Sequence, residues 1–177
     1  MSILYRKLIE IAKRSVEEKK TIDPFVLMVI KESTSFSLKM LPFDFASDEE
    51  KDRKIKALKS FIKSEYKKKD LEIIEFLFYT EAFASKFDLK KYSKEEIKEM
   101  IKSGKYGSRD VNRQDVIVIS QETLDRGERR VMFTIENNKI INESHIPFIS
   151  YEDAIKETSI SKLGRFSYIL NKTLKND

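Results

Sequence analysis

A chain of 177 residues, 40 % of them hydrophobic and 37 % charged, has the size and apolar content of one folded domain. It contains no cysteine, which excludes disulfides, thiolate nucleophiles and cysteine-ligated metal sites. The net charge of +5, from 35 basic and 30 acidic residues that are interspersed, permits contact with nucleic acid without requiring it.

Ser2–Lys19 has the spacing of an amphipathic helix, with Leu4, Leu8, Ile11 and Ala12 on one face. Asp23-Pro24 breaks the chain. Phe25–Ile30 (FVLMVI) is a short, β-rich apolar run and reads as a buried strand. Ser35–Leu41 alternates, placing Phe36, Leu38 and Met40 on one face and Ser35, Ser37 and Lys39 on the other. The two segments form an expected antiparallel hairpin whose second strand is half solvated. Ser47 followed by Glu50 is a capping-box pattern opening a helix to about Lys68, with Ile55, Leu58 and Ile62 as its buried stripe.

Leu71–Phe87 (LEIIEFLFYTEAFASKF) is the longest strand-like run, crowded with aromatic and β-branched residues. Strict alternation puts Ile74, Phe76, Phe78, Thr80, Ala82 and Ala84 on one face. Ile73, Glu75, Leu77, Tyr79, Glu81, Phe83 and Ser85 take the other. Neither face is polar throughout, so a central strand covered on both sides is expected. Ser93–Ser103 carries a second capping box, Ser93 with Glu96, and Gly104 as its stop. Three strands in meander follow, Asp115–Thr123, Arg129–Glu136 and Lys139–Ile146, joined by turns at Asp125-Arg126-Gly127 and Asn137-Asn138. Pro147 is read as the end of the last strand. Ser161–Lys175 reads as a terminal amphipathic helix using Leu163, Phe166, Leu170 and Leu174. The expected fold is α+β over residues 1–177, a mainly antiparallel sheet of about six strands with helices packed on its faces.

Signatures of chemistry are sparse. The four glycines form no phosphate-binding array, so no nucleotide cofactor is expected, and no metal-binding motif is present. His145, the only histidine, lies near a strand end and reads as a surface residue. Glu75 and Glu81 share a strand face but stand roughly 20 Å apart, too far for one dyad. Glu81, in a run expected to be buried, needs a partner, and Arg113 or Arg109 is the candidate. Arg109, Asp110, Arg113 and Asp115, with Tyr106 and Asn112, form the densest polar cluster, which reads either as a site or as a connecting loop. Lys56, Lys59, Lys63 and Lys67 recur every three or four residues, a stripe that suits phosphates or a solvated helix face.

The strand ending Glu81-Ala82-Phe83, together with Asp110, Arg113 and Asp115 opening a later strand, resembles a pattern of uncharacterised prokaryotic α+β proteins. The resemblance covers about the central third of the chain and implies an α+β fold and a Glu81–Arg113 relation, with no activity attached. The function expected from the sequence is a non-enzymatic interaction or accessory domain that associates with itself or another protein. The alternatives are nucleic-acid binding through the lysine stripe and a carboxylate-based enzyme around Glu81 and Arg113. No apolar run approaches the roughly 20 residues of a membrane helix, and no signal-peptide core is seen, so a cytoplasmic protein without membrane contact is expected.

Overall fold

The structure is a computed structural model that describes residues 2–44, 47–66, 71–85, 92–93, 95–97, 99, 113–157 and 167–174; at 48, 83–85, 113 and 157 only the backbone is considered. Four helices have full bounds: α1 (Ile3–Glu17), α2 (Asp48–Tyr66), α3 (Tyr151–Glu157) and α4 (Ile169–Leu174). Six strands, β1 (Phe25–Glu32), β2 (Ser35–Pro42), β3 (Leu71–Ser85), β4 (Arg113–Thr123), β5 (Gly127–Glu136) and β6 (Lys139–Ile149), form one sheet in the order β2-β1-β3-β4-β5-β6. Every neighbouring pair is antiparallel, so the fold is α+β as the sequence predicts. β2 and β3 both run antiparallel to β1 and therefore parallel to each other. Their link has to cross the sheet, and α2 makes the crossing.

The sheet carries a core on each side. On one, α2 and α4 bring Ile55, Leu58, Ile62, Ile169 and Leu170 against Val26, Met28, Ile30, Ile73, Phe76 and Phe78. On the other, α1 lays Tyr5, Leu8, Ala12 and Val16 on Leu77, Tyr79, Ile117, Ile119, Val131 and Phe133. β3 lies between β1 and β4 and feeds both cores, as expected of a central strand. Strict alternation fails at one point. The β1–β3 register steps from Val29↔Glu75 to Ile30↔Ile73, so Ile74 is the extra residue of a bulge. Ile73 is thereby turned to the Phe76 side, while Glu75 stays with Leu77 and Tyr79.

Other expectations need correction. Ile11 is exposed on α1 and Tyr5 is buried in its place, because the buried stripe 5-8-12-16 follows the helical repeat a little out of phase with the apolar letters. Pro147 does not end β6, which runs on to Ile149. β6 is a sheet edge, where a residue without an N–H removes no ladder bond. The sequence reading makes no assignment at α3; Ser150 caps it by accepting from Asp153 N–H at 3.0 Å. The terminal helix begins at Ile169, after Tyr168 at a positive φ of 54°, and the predicted residues 161–166 lie outside the described residues. Both predicted capping boxes are present at their helix starts: Glu50 N–H donates to Ser47 Oγ, and Ser93 N–H to Glu96 Oε2. Asn137 and Asn138, at φ 51° and 59°, make the mirror-image turn that two-residue hairpins favour. Gly127 is fixed by close approach: a Cβ there would stand 2.0 Å from the Ile149 carbonyl oxygen.

Position on this sheet dictates how much a side chain matters. Ile62, fully buried between α2 and the sheet, should lose about 2–5 kcal/mol of stability as Ile62→Ala. Leu38→Ala, on the open side of β2, should stay within about 0.5 kcal/mol. Urea unfolding of both variants checks the contrast.

Candidate functional site

Of the predicted polar cluster, the structure describes Glu81, Asp115 and the backbone of Arg113. Glu81 is exposed, not buried, so it has no desolvation to be relieved by an arginine. Its Oε1 accepts from the Ile22 N–H at 3.4 Å and fastens the link between α1 and β1. In the β3–β4 ladder Glu81 opposes Ile117, and Arg113 opposes Ser85. Four residues separate the two rungs, roughly 13 Å along the strand, so Glu81 and Arg113 are not cross-strand partners. Arg109 and Asp110, with Tyr106 and Asn112, lie outside the described residues.

Asp115 does approach Glu81. It stands diagonally across the ladder, and both line an open cleft of about 360 Å³ with Ser15, Lys19, Lys20 and Val116. Beneath it the Tyr79 hydroxyl is fully buried, beside Ser15 and Glu81 but with no hydrogen bond of ordinary geometry. Burial and then the Glu81 charge push its pKa up to about 12, so it is a neutral donor across the physiological range. The cleft has no histidine, and no group of three or more metal-ligating side chains occurs among the described residues. The charged groups lining the cleft are two exposed carboxylates and two exposed lysines. His145 is exposed on β6, 2.8 Å from Glu143, as a surface histidine.

The lysine stripe sits lower than expected. Lys56 is exposed, but Lys59 and Lys63 are half-buried, and Lys67 is outside the described residues. Lys59 also faces Lys172 of α4, whose pKa is held down first by burial and then by that charge. Glu65, which dilutes the stripe in sequence, is buried and bound to Lys39 of β2 at 2.5 Å.

The sequence reading missed three further buried carboxylates among the described residues. Glu75 accepts from Ser2 Oγ at 2.9 Å and from the Gln121 amide, and Gln121 accepts in turn from Arg129 Nε at 2.5 Å. The Arg129 guanidinium lies 4.1 Å from the Tyr5 ring centroid, so this chain ties the start of α1 to three strands. On the opposite face Glu122 accepts the Leu170 N–H at 2.9 Å and the Asn171 N–H at 2.7 Å. Glu128, its cross-strand neighbour, accepts the Tyr168 N–H at 2.5 Å and pairs with Arg130, which also donates to Ser167. The two glutamates thus satisfy the open N–H groups where α4 begins. No local signal marks them, because a hairpin tip rich in Glu and Arg also looks like a solvated turn.

The most exposed apolar surface lies elsewhere, on β2. Phe36, Leu38 and Met40 are 66 %, 57 % and 67 % exposed. The sequence assigns alternating faces to β2 correctly, but the solvated face is the apolar one. Met28 and Ile30 of β1 must face α2, and their partners Lys39 and Ser37 go with them. Lys39 then binds Glu65 and lies 5.3 Å from the Phe61 ring centroid, while Ser37 donates to Glu32. The apolar residues are left pointing outward.

The chain matches no protein-family model, no curated protein and no solved structure. No helix among the described residues is long and apolar enough to cross a membrane.

Glu122 generates a pH prediction. Burial raises its pKa to about 7, against the N–H bonds that pull the other way. A raised folded-state pKa adds stability that is complete below the unfolded value of about 4.5 and is lost as pH rises through about 7. Unfolding free energy measured from pH 4.5 to 7.5 should therefore carry a decline on the order of 3 kcal/mol from this group. Glu122→Gln, which cannot ionise, should lack that component.

Proposed function

We propose that this protein is an interaction module, not an enzyme, and that its binding surface is the open edge of β2 with its outward stripe. The carrying observation is the contrast between the two sheet edges. β6 has the usual protections: Lys139, Glu143 and Pro147 along its length, and two register shifts against β5. β2 keeps an unbroken register with β1, holds its one charged residue against Glu65, and exposes Phe36, Leu38 and Met40. An apolar edge in unbroken register, with a single proline at its far end, Pro42, is the surface that an added strand occupies. The fitting partner is an extended segment with apolar residues at every second position. The cleft at Glu81 and Asp115 supports an acid–base reaction poorly, since Glu81 is engaged by the Ile22 amide.

Titration with a synthetic alternating Ser/Leu peptide, followed by amide chemical shifts, should perturb Phe36, Leu38 and Met40 first, and Leu38→Asp should abolish the effect. Perturbation centred on Ser15, Glu81 and Asp115, or binding unchanged by Leu38→Asp, would contradict the proposal.

A further inference from the structure

Building on the reading of β2 as a docking edge, we infer that its occupant is β2 of a second copy, paired antiparallel about a two-fold axis at Leu38. The argument starts with the hydrogen-bond parity of the hairpin. Glu32↔Ser35 closes a two-residue loop, and the Phe43 N–H donates to the Pro24 carbonyl at 2.7 Å at the other end. Both pairs, and every second pair between them, bond inward. Ser35, Ser37, Lys39 and Leu41 therefore spend their backbone groups on β1. Phe36, Leu38 and Met40 turn theirs to the open edge. The residues with outward amides are the residues with exposed apolar side chains.

A two-fold at Leu38 places Leu38 opposite the partner's Leu38 and Phe36 opposite the partner's Met40. All three resulting rungs join residues with outward backbone groups, so each forms both of its N–H···O bonds. On the stripe side the contacts are leucine to leucine and aromatic ring to thioether, a favourable pairing. On the reverse side Ser37 meets the partner's Lys39, and no like charges oppose each other. Other registers of the same parity lose rungs. Centring on Lys39 sets Phe36 against the partner's Pro42, which has no N–H to give, and opposes the two Lys39 side chains. Centring on Ser37 sets Met40 against the partner's Thr34, in the turn, and centring on Met40 or Phe36 loses more. Even a one-residue slip would oppose outward groups to groups already bonded. Strand, stripe, charge and proline all select one arrangement. The contact is one strand wide, below the ~1,200 Å² of a standard interface, so association is reversible and depends on concentration.

The absence of cysteine allows a direct register test. In the proposed dimer the two Leu38 Cα atoms lie about 5.5 Å apart, within disulfide reach. The two Met40 Cα atoms lie roughly 13 Å apart. Under mild oxidation Leu38→Cys should form a covalent dimer in high yield, and Met40→Cys should not. Leu38→Lys and Leu38→Glu should each weaken wild-type association by about a hundredfold, and mixing the two should restore a dimer. Wild-type sedimentation as a monomer at every concentration, or equal cross-linking at 38 and 40, overturns the self-pairing. If self-pairing fails but the alternating peptide still maps to Phe36, Leu38 and Met40, the docking-edge reading stands with another partner. If the peptide also fails to bind there, both readings fall.

Discussion

The pairing register between β1 and β2 decides which surface of this protein is apolar. β1 is fixed first, because Val26, Met28 and Ile30 complete the core under α2. Antiparallel pairing then assigns every β2 side chain to a face with no further choice. Lys39 is carried onto the buried side, where Glu65 and the Phe61 ring receive it. Phe36, Leu38 and Met40 are carried to solvent. A slip of one residue would bury them and expose Lys39, breaking its ion pair with the buried Glu65. The ion pair thus contributes to specifying the register that leaves the stripe open.

The buried polar groups elsewhere have a matching logic. The starts of two helices are tied down by carboxylates reaching from the sheet. Glu75 holds the first turn of α1 through Ser2, and Glu122 and Glu128 hold the start of the six-residue α4. A helix that short has little intrinsic stability, so its docking depends on Leu170 and Ile169 in the core and on those accepted N–H groups. These carboxylates serve the frame.

Much of this was legible in the letters. The aromatic density of residues 71–85, the two capping boxes and the Asn-Asn turn located elements without any tertiary information. What was not legible depends on pairing. The bulge at Ile74 cannot be read from one strand, since it is a mismatch between two. The solvated side of β2 cannot be read from β2, since it is set by α2 packing on the other side through Met28 and Ile30 of β1. Glu81 stands in an apolar run yet is exposed, because it lies at the end of β3 beyond the reach of β1, whose pairing stops at Tyr79. Glu81 and Arg113 sit on rungs four residues apart, a separation that the pairing sets and neither strand shows alone.

The central claim is that Phe36, Leu38 and Met40 turn both backbone and side chain to an open edge that a second copy fills. Amide hydrogen exchange along β2, measured over a range of protein concentrations, tests it most directly. The account predicts slow exchange at Ser37, Lys39 and Leu41 throughout, and protection at Phe36, Leu38 and Met40 that grows with concentration. Protection of the even-numbered amides that is unchanged on dilution, or rapid exchange at the odd-numbered ones, would contradict it.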